Sequence, residues 1–77
     1  MEEIRISNSS SLAHRELKNS RLREDFNTQL LALLRNDVII ANPEPGEIIQ
    51  PEDILIVFGR EDKLRELEKE AAGMVKL

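Results

Sequence analysis

Among the 77 residues there is one histidine, His14, and no cysteine, so the side chains best suited to proton transfer or nucleophilic attack near neutral pH are almost missing. A Cys–His nucleophile is excluded, and a single histidine cannot form a His-cluster metal site within one chain. Ser-His-Asp is possible by composition, but no Gly-x-Ser-x-Gly elbow occurs to raise a serine onto a sharp turn. The carboxylates come as adjacent pairs, Glu24-Asp25, Glu52-Asp53 and Glu61-Asp62. Adjacent acids suit turns and helix starts better than an acid/base pair facing across a cleft. Neither a Walker loop nor Gly-x-Gly-x-x-Gly is present to cradle phosphates. His14 reads as an ordinary surface residue, and the chain is not expected to be an enzyme.

The basic residues are more informative. The net charge is −4, yet residues 14–35 hold five bases against three acids, whereas residues 36–77 hold five against ten. A local arginine cluster of this kind could hold a small anion, or simply form a solvated helix face. With two Phe and no Trp or Tyr, the acidic chain lacks the basic footprint and stacking platforms of a generic nucleic-acid binder. No nucleic-acid partner is expected. The longest apolar runs have five residues, far short of the roughly 20 that span a bilayer, and Met1-Glu2-Glu3 is no signal peptide. Direct membrane insertion is not expected, and the absence of cysteine fits the cytoplasm.

Elements that would position these residues can be read from hydrophobic spacing. Glu3–Ser7 alternates in the period of a half-buried strand, with Ile4 and Ile6 on one face. Asn8–Ser11 is a polar loop able to cap a helix. Leu12–Phe26 is helical in composition but only partly periodic. It predicts a short helix to about Asn19, a break near Ser20 and another turn over Leu22–Phe26. Residues 28–35 and 37–41 read as a hairpin across Asn36-Asp37, because Val38-Ile39-Ile40 is β-branched throughout and asparagine tolerates the left-handed turn. Pro43-Glu44-Pro45-Gly46 ends the second strand, Ile48 and Ile49 re-enter the core, and Ile54–Phe58 is a buried strand closed by Gly59. Residues 61–72 form the final helix, with Leu64, Leu67 and Ala71 on one stripe, stopped by Gly73. The expected architecture is an α+β two-layer domain, β-α-β-β-β-α. One domain of this size sits near the lower limit for a self-sufficient core, and an unstapled aliphatic core often gains stability by oligomerising.

The order of these signals resembles the C-terminal domain of regulators of potassium conductance, the RCK_C or TrkA-C domain. Leu12-Ala13-His14-Arg15-Glu16-Leu17 occupies the place of a Leu-Ala-Gly-Lys-Thr-Leu-like motif. Leu22-Arg23 before Phe26 follows, then Arg35-Asn36-Asp37 for a strand ending in Arg-x-Gly. Ile39, Ile40 and Pro43 come next, and Ile49, Glu52-Asp53 and Ile54–Gly59 complete the pattern. The departures are at glycines. His14, Asn27, Asn36 or Asp37, and Glu52 stand near places where the family often has Gly.

The resemblance implies a mainly antiparallel TrkA-C-like fold over residues 3–72, with 73–77 as a C-terminal tail. It also implies a homodimer acting as a cytoplasmic regulatory domain of a potassium or other cation channel or transporter, in the same or a partner chain. Some members bind cyclic di-AMP across the dimer two-fold, and the matching positions here are Leu17, Arg23, Gln29, Leu30 and Pro43. No metal or catalytic residue is implied. Other readings of the same module are the sensing domain of a winged-helix repressor and a purely structural dimerisation domain. In the latter case Arg23 would pair with an acid such as Glu24 or Asp53 and bind nothing.

Overall fold

A computed structural model describes residues 1–74; the end of the expected tail, residues 75–77, lies outside the described residues. The chain folds as β1 (Glu2–Arg5), a single 3-10 turn (Leu17–Asn19), α1 (Leu22–Phe26), β2 (Gln29–Arg35), β3 (Val38–Ala41), β4 (Ile54–Phe58) and α2 (Glu61–Ala71). The four strands form one antiparallel sheet in the order β1-β4-β2-β3. The β-α-β-β-β-α order is as expected.

Strand alternation assigns the two faces of the sheet. In register, Leu33 stands beside Leu55 and Ile40 on the inner face. Leu33 and Leu55 are fully buried with Ile6, Leu12, Val57, Ile49 and Leu67, and Ile4 is buried beside them. Of the two isoleucines expected to re-enter the core, Ile49 does and Ile48 stays exposed. On the outer face Leu34 lies beside Ile54 and Ile39, and Ala32 beside Ile56 and Ala41. Nothing among the described residues covers that face: Ile39 is 65% exposed and Phe58, opposite Gln29, is 60% exposed.

The hairpin turn uses left-handed backbone at both Asn36 (φ 50°) and Asp37 (φ 64°), as a two-residue turn that matches strand twist requires. His14 (φ 72°), Asn27 (φ 47°) and Glu52 (φ 75°) are left-handed too. Every position where the family often has glycine therefore demands the conformation glycine takes most cheaply. His14 is exposed, so its variants isolate the backbone cost. His14→Gly is expected to be more stable than His14→Ala by about 1 kcal/mol in denaturant unfolding; equal stabilities would show that no strain is held there.

The helix expected over residues 12–19 does not form. His14 breaks it, and its neighbours give their backbone bonds to a distant segment. His14 N–H donates to Ile49 O (2.7 Å), Ile49 N–H to Arg15 O (2.8 Å) and Leu17 N–H to Glu47 O (2.9 Å). Only the 3-10 turn remains of it.

A candidate ligand groove

Leu17 opens the 3-10 turn, and the following Ser20 is buried with its hydroxyl donating to Leu17 O at 2.7 Å. Arg21 then takes left-handed backbone (φ 58°) as the N-cap of α1, and Arg23, two residues on, lies at the surface. After α1, Thr28 is buried and donates to Phe26 O at 2.8 Å. A Cβ at Gly59 would come within 2.8 Å of the Thr28 hydroxyl, so glycine at 59 permits β4 to pass close to the start of β2. Gln29 and Leu30 are the first residues of β2. Beyond β3, Asn42 turns the chain with φ 49° and donates to Leu31 O, delivering Pro43 alongside.

These segments enclose an open groove of about 530 Å³. All five residues singled out by the resemblance, Leu17, Arg23, Gln29, Leu30 and Pro43, line it. Lys18, Arg21, Asn42 and Pro45 line it as well and were not singled out. The available signals were the base-rich segment 14–35, which holds Lys18 and Arg21, and the second proline of the same turn. A smaller depression of about 410 Å³ shares Arg23, Thr28 and Gln29 and is bordered by Phe58 and Arg60.

Charge in the groove is set by pairing. Arg21 is bound to Asp25 at 3.1 Å, and that hydrogen bond raises its pKa above the ordinary arginine value. Lys18 lies 3.7 Å from Glu16. Arg23 is exposed and makes no ion pair or side-chain hydrogen bond among the described residues. Neither acid considered for it is used: Asp53 is held by Arg35 through two bonds of 2.8 and 2.7 Å. A guanidinium with its five donors uncommitted, beside Leu17, Leu30 and two prolines, is suited to an anion that also carries apolar surface. Among the described residues no cluster of three or more His, Cys, Asp or Glu could hold a metal, and no helix is long and apolar enough to cross a membrane.

The TrkA-C domain family profile matches residues 1–72. The chain belongs to the TrkA-C family. This is a family of regulatory domains of potassium channel and transport proteins, not of catalysts. Over 63 residues the chain is 33% identical to probable potassium channel protein 2 of Methanocaldococcus jannaschii, covering 82% of this chain and 18% of that protein. Potassium channel protein 1 of the same organism is 30% identical over 69 residues, with 90% and 21% covered. The chain thus spans about a fifth of the length of the curated relatives it matches.

Solved TrkA-C structures carry the same fold. The RCK_C domain dimer of S. agalactiae BusR in complex with c-di-AMP superposes with a TM-score of 0.84 at 18% identity, over 95% of this chain and 90% of that one. The RCK C domain of the potassium transport protein KtrA, also in complex with cyclic diadenosine monophosphate, gives 0.80 at 24% identity, over 88% and 78%. BusR is known in complex with its busAB-promotor DNA as well, and there this fold accounts for 37% of the chain. The same fold thus occurs in a protein bound to DNA, against the expectation of no nucleic-acid partner.

Proposed function

We propose that residues 3–72 are a cytoplasmic ligand-sensing and dimerisation domain of a potassium or other cation channel or transporter, and that cyclic di-AMP is its ligand. The observation that carries this reading is the convergence of Leu17, Arg23, Gln29, Leu30 and Pro43, from four separate segments, on one groove with an uncommitted arginine. Two copies meeting through the uncovered outer face of the sheet bring two such arginines toward a two-fold axis. Their repulsion is relieved by a two-fold symmetric dianion with one phosphate for each guanidinium. The adenines then lie against Leu30 and Pro43. Bidentate arginine–phosphate pairs are strong where they are partly desolvated.

Dimerisation has a physical cause in the chain itself. Leu31, Ile39 and Phe58 are exposed on or beside one apolar sheet face, and monomers rarely leave such patches uncovered beyond a few hundred Å². An interface of about 800 Å² per partner is a modest part of the 5237 Å² surface of one chain. Sedimentation at micromolar concentration is expected to give twice the 8.8 kDa chain mass; a monomer persisting at high concentration would refute the dimer.

For the ligand, titration calorimetry is the direct test. Arg23→Ala is expected to weaken cyclic di-AMP binding by well over tenfold, while Lys69→Ala, on α2 and outside the groove, leaves it unchanged. The ligand should also raise the melting temperature, since it binds only the folded protein. No heat and no melting shift at about hundredfold the concentration of a micromolar site would leave a purely structural dimerisation domain as the better reading. The BusR likeness supports a second parent protein, a winged-helix repressor carrying this module. Sequence upstream of Met1 discriminates: a basic helix-turn-helix supports the repressor, and transmembrane segments or a nucleotide-binding lobe support the transporter.

A further inference from the structure

The Arg35 side chain lies at the opposite end of β2 from Gln29 and Leu30, outside the groove, yet it holds one of the groove's walls. Its Nε and Nη2 donate to the two carboxylate oxygens of Asp53 at 2.8 and 2.7 Å. Nη1 donates to Glu47 Oε2 at 3.0 Å, and Nη2 also reaches Ile48 O at 2.9 Å. One guanidinium thus closes the segment 47–53 on itself, with Asp53 further accepting from Gln50 N–H at 2.8 Å. The loop between β3 and this clamp carries Pro43 and Pro45. From the clamped end, Glu47 O accepts from Leu17 N–H and Pro45 O accepts from Lys18 N–H, both at 2.9 Å. Those two bonds join the proline wall of the groove to the turn bearing Leu17 and Lys18.

We infer that Arg35 is a positioning residue for the ligand groove: by gripping Glu47, Ile48 and Asp53 together it sets the separation between Leu17 and the Pro43–Pro45 wall. The inference rests on the ligand reading above for its functional consequence, but its structural half stands alone. The geometry needs arginine, because spanning two carboxylates and a carbonyl takes a planar fork with several donors. A lysine ammonium is a single compact centre and cannot reach all three. Glu47 is the member whose loss is most specific. Its removal opens the link from the clamp to the groove while leaving the Arg35–Asp53 pair, and hence the fold, in place.

The test uses the full chain with Glu47→Ala and Arg35→Lys. Hydrogen exchange followed by NMR reads the wall directly: in Glu47→Ala the amides of Leu17 and Lys18 should exchange at least tenfold faster, while those of Leu33 and Leu55 in the sheet keep their rates. Calorimetry with cyclic di-AMP, at a temperature where each variant is folded by circular dichroism, should show affinity falling about tenfold for Glu47→Ala and further for Arg35→Lys. Unchanged exchange at Leu17 and Lys18 overturns the inference whether or not ligand binds. Affinities within twofold of the unsubstituted chain, in variants that melt at lower temperature, overturn it too, because the clamp then serves stability alone. If the unsubstituted chain gives no heat, the ligand reading fails and the exchange measurement still decides the positioning role.

Discussion

Asp53→Ala is expected to lower the unfolding free energy by about 3 kcal/mol, at the lower end of what breaking a buried ion pair costs. The carboxylate is 1% exposed and accepts from Arg35 twice and from the backbone of Gln50. Alanine leaves that amide and a three-quarters-buried guanidinium without their acceptor. The lower end of the range applies because Arg35 retains Glu47, Ile48 O and some access to water. Hydrogen bonding to Asp53 raises the Arg35 pKa above its ordinary value against the opposing effect of burial; without Asp53 the guanidinium keeps its bond to Glu47 and stays charged, because arginine does not lose its proton in proteins. A chain of this size has about 4–12 kcal/mol of stability in all, and the loss is a large part of it. Asp53→Asn keeps the volume and one acceptor and should fall between the two. Urea unfolding checks both, through a lowered midpoint at unchanged slope. A loss below about 1 kcal/mol for alanine would mean that the pair contributes no more than an exposed salt bridge.

A loss of about 2–5 kcal/mol is expected for Leu67→Ala, and less than about 0.5 kcal/mol for its neighbour Glu66→Ala. Leu67 is fully buried in the common core, on a stripe of α2 with Leu64 and Ala71. Its deletion removes apolar contact and leaves a cavity that β1 and β4 cannot collapse to fill. Glu66 faces water and, among the described residues, meets only Lys63, at 3.5 Å. The spread within the range for leucine depends on how far α2 relaxes toward β1. Equal, small losses from both variants would show that α2 is not docked on the sheet.

Much of the architecture could be read along the chain because the responsible forces act over a few residues. The five apolar residues closed by Gly59 are β4, the Leu64–Leu67–Ala71 stripe is the buried face of α2, and Asn36-Asp37 makes the turn that local sterics favour. The glycine departures at His14, Asn27 and Glu52 were visible through the family resemblance, and all three carry left-handed backbone. The five candidate site residues came from the same resemblance; hydrophobic period and charge pointed only to a basic segment.

Other features depended on partners far away in sequence. Residues 12–19 have the composition of a helix, but their backbone donors meet Glu47 and Ile49 after the chain has folded back. Those bonds displace the helical ones at no net loss of hydrogen bonding. Asp53 was one candidate partner for Arg23, yet β2 and β4 pair in a register that sets it against Arg35 instead. Lys18, Arg21 and Pro45 join the groove only because the loop after β3 hydrogen-bonds to the 3-10 turn. Helix and strand propensities are weak biases of well under 1 kcal/mol per residue. A buried charge or an unpaired backbone amide costs more than that. Where the two compete, the long-range partner prevails, and it exists only once the sheet has assembled.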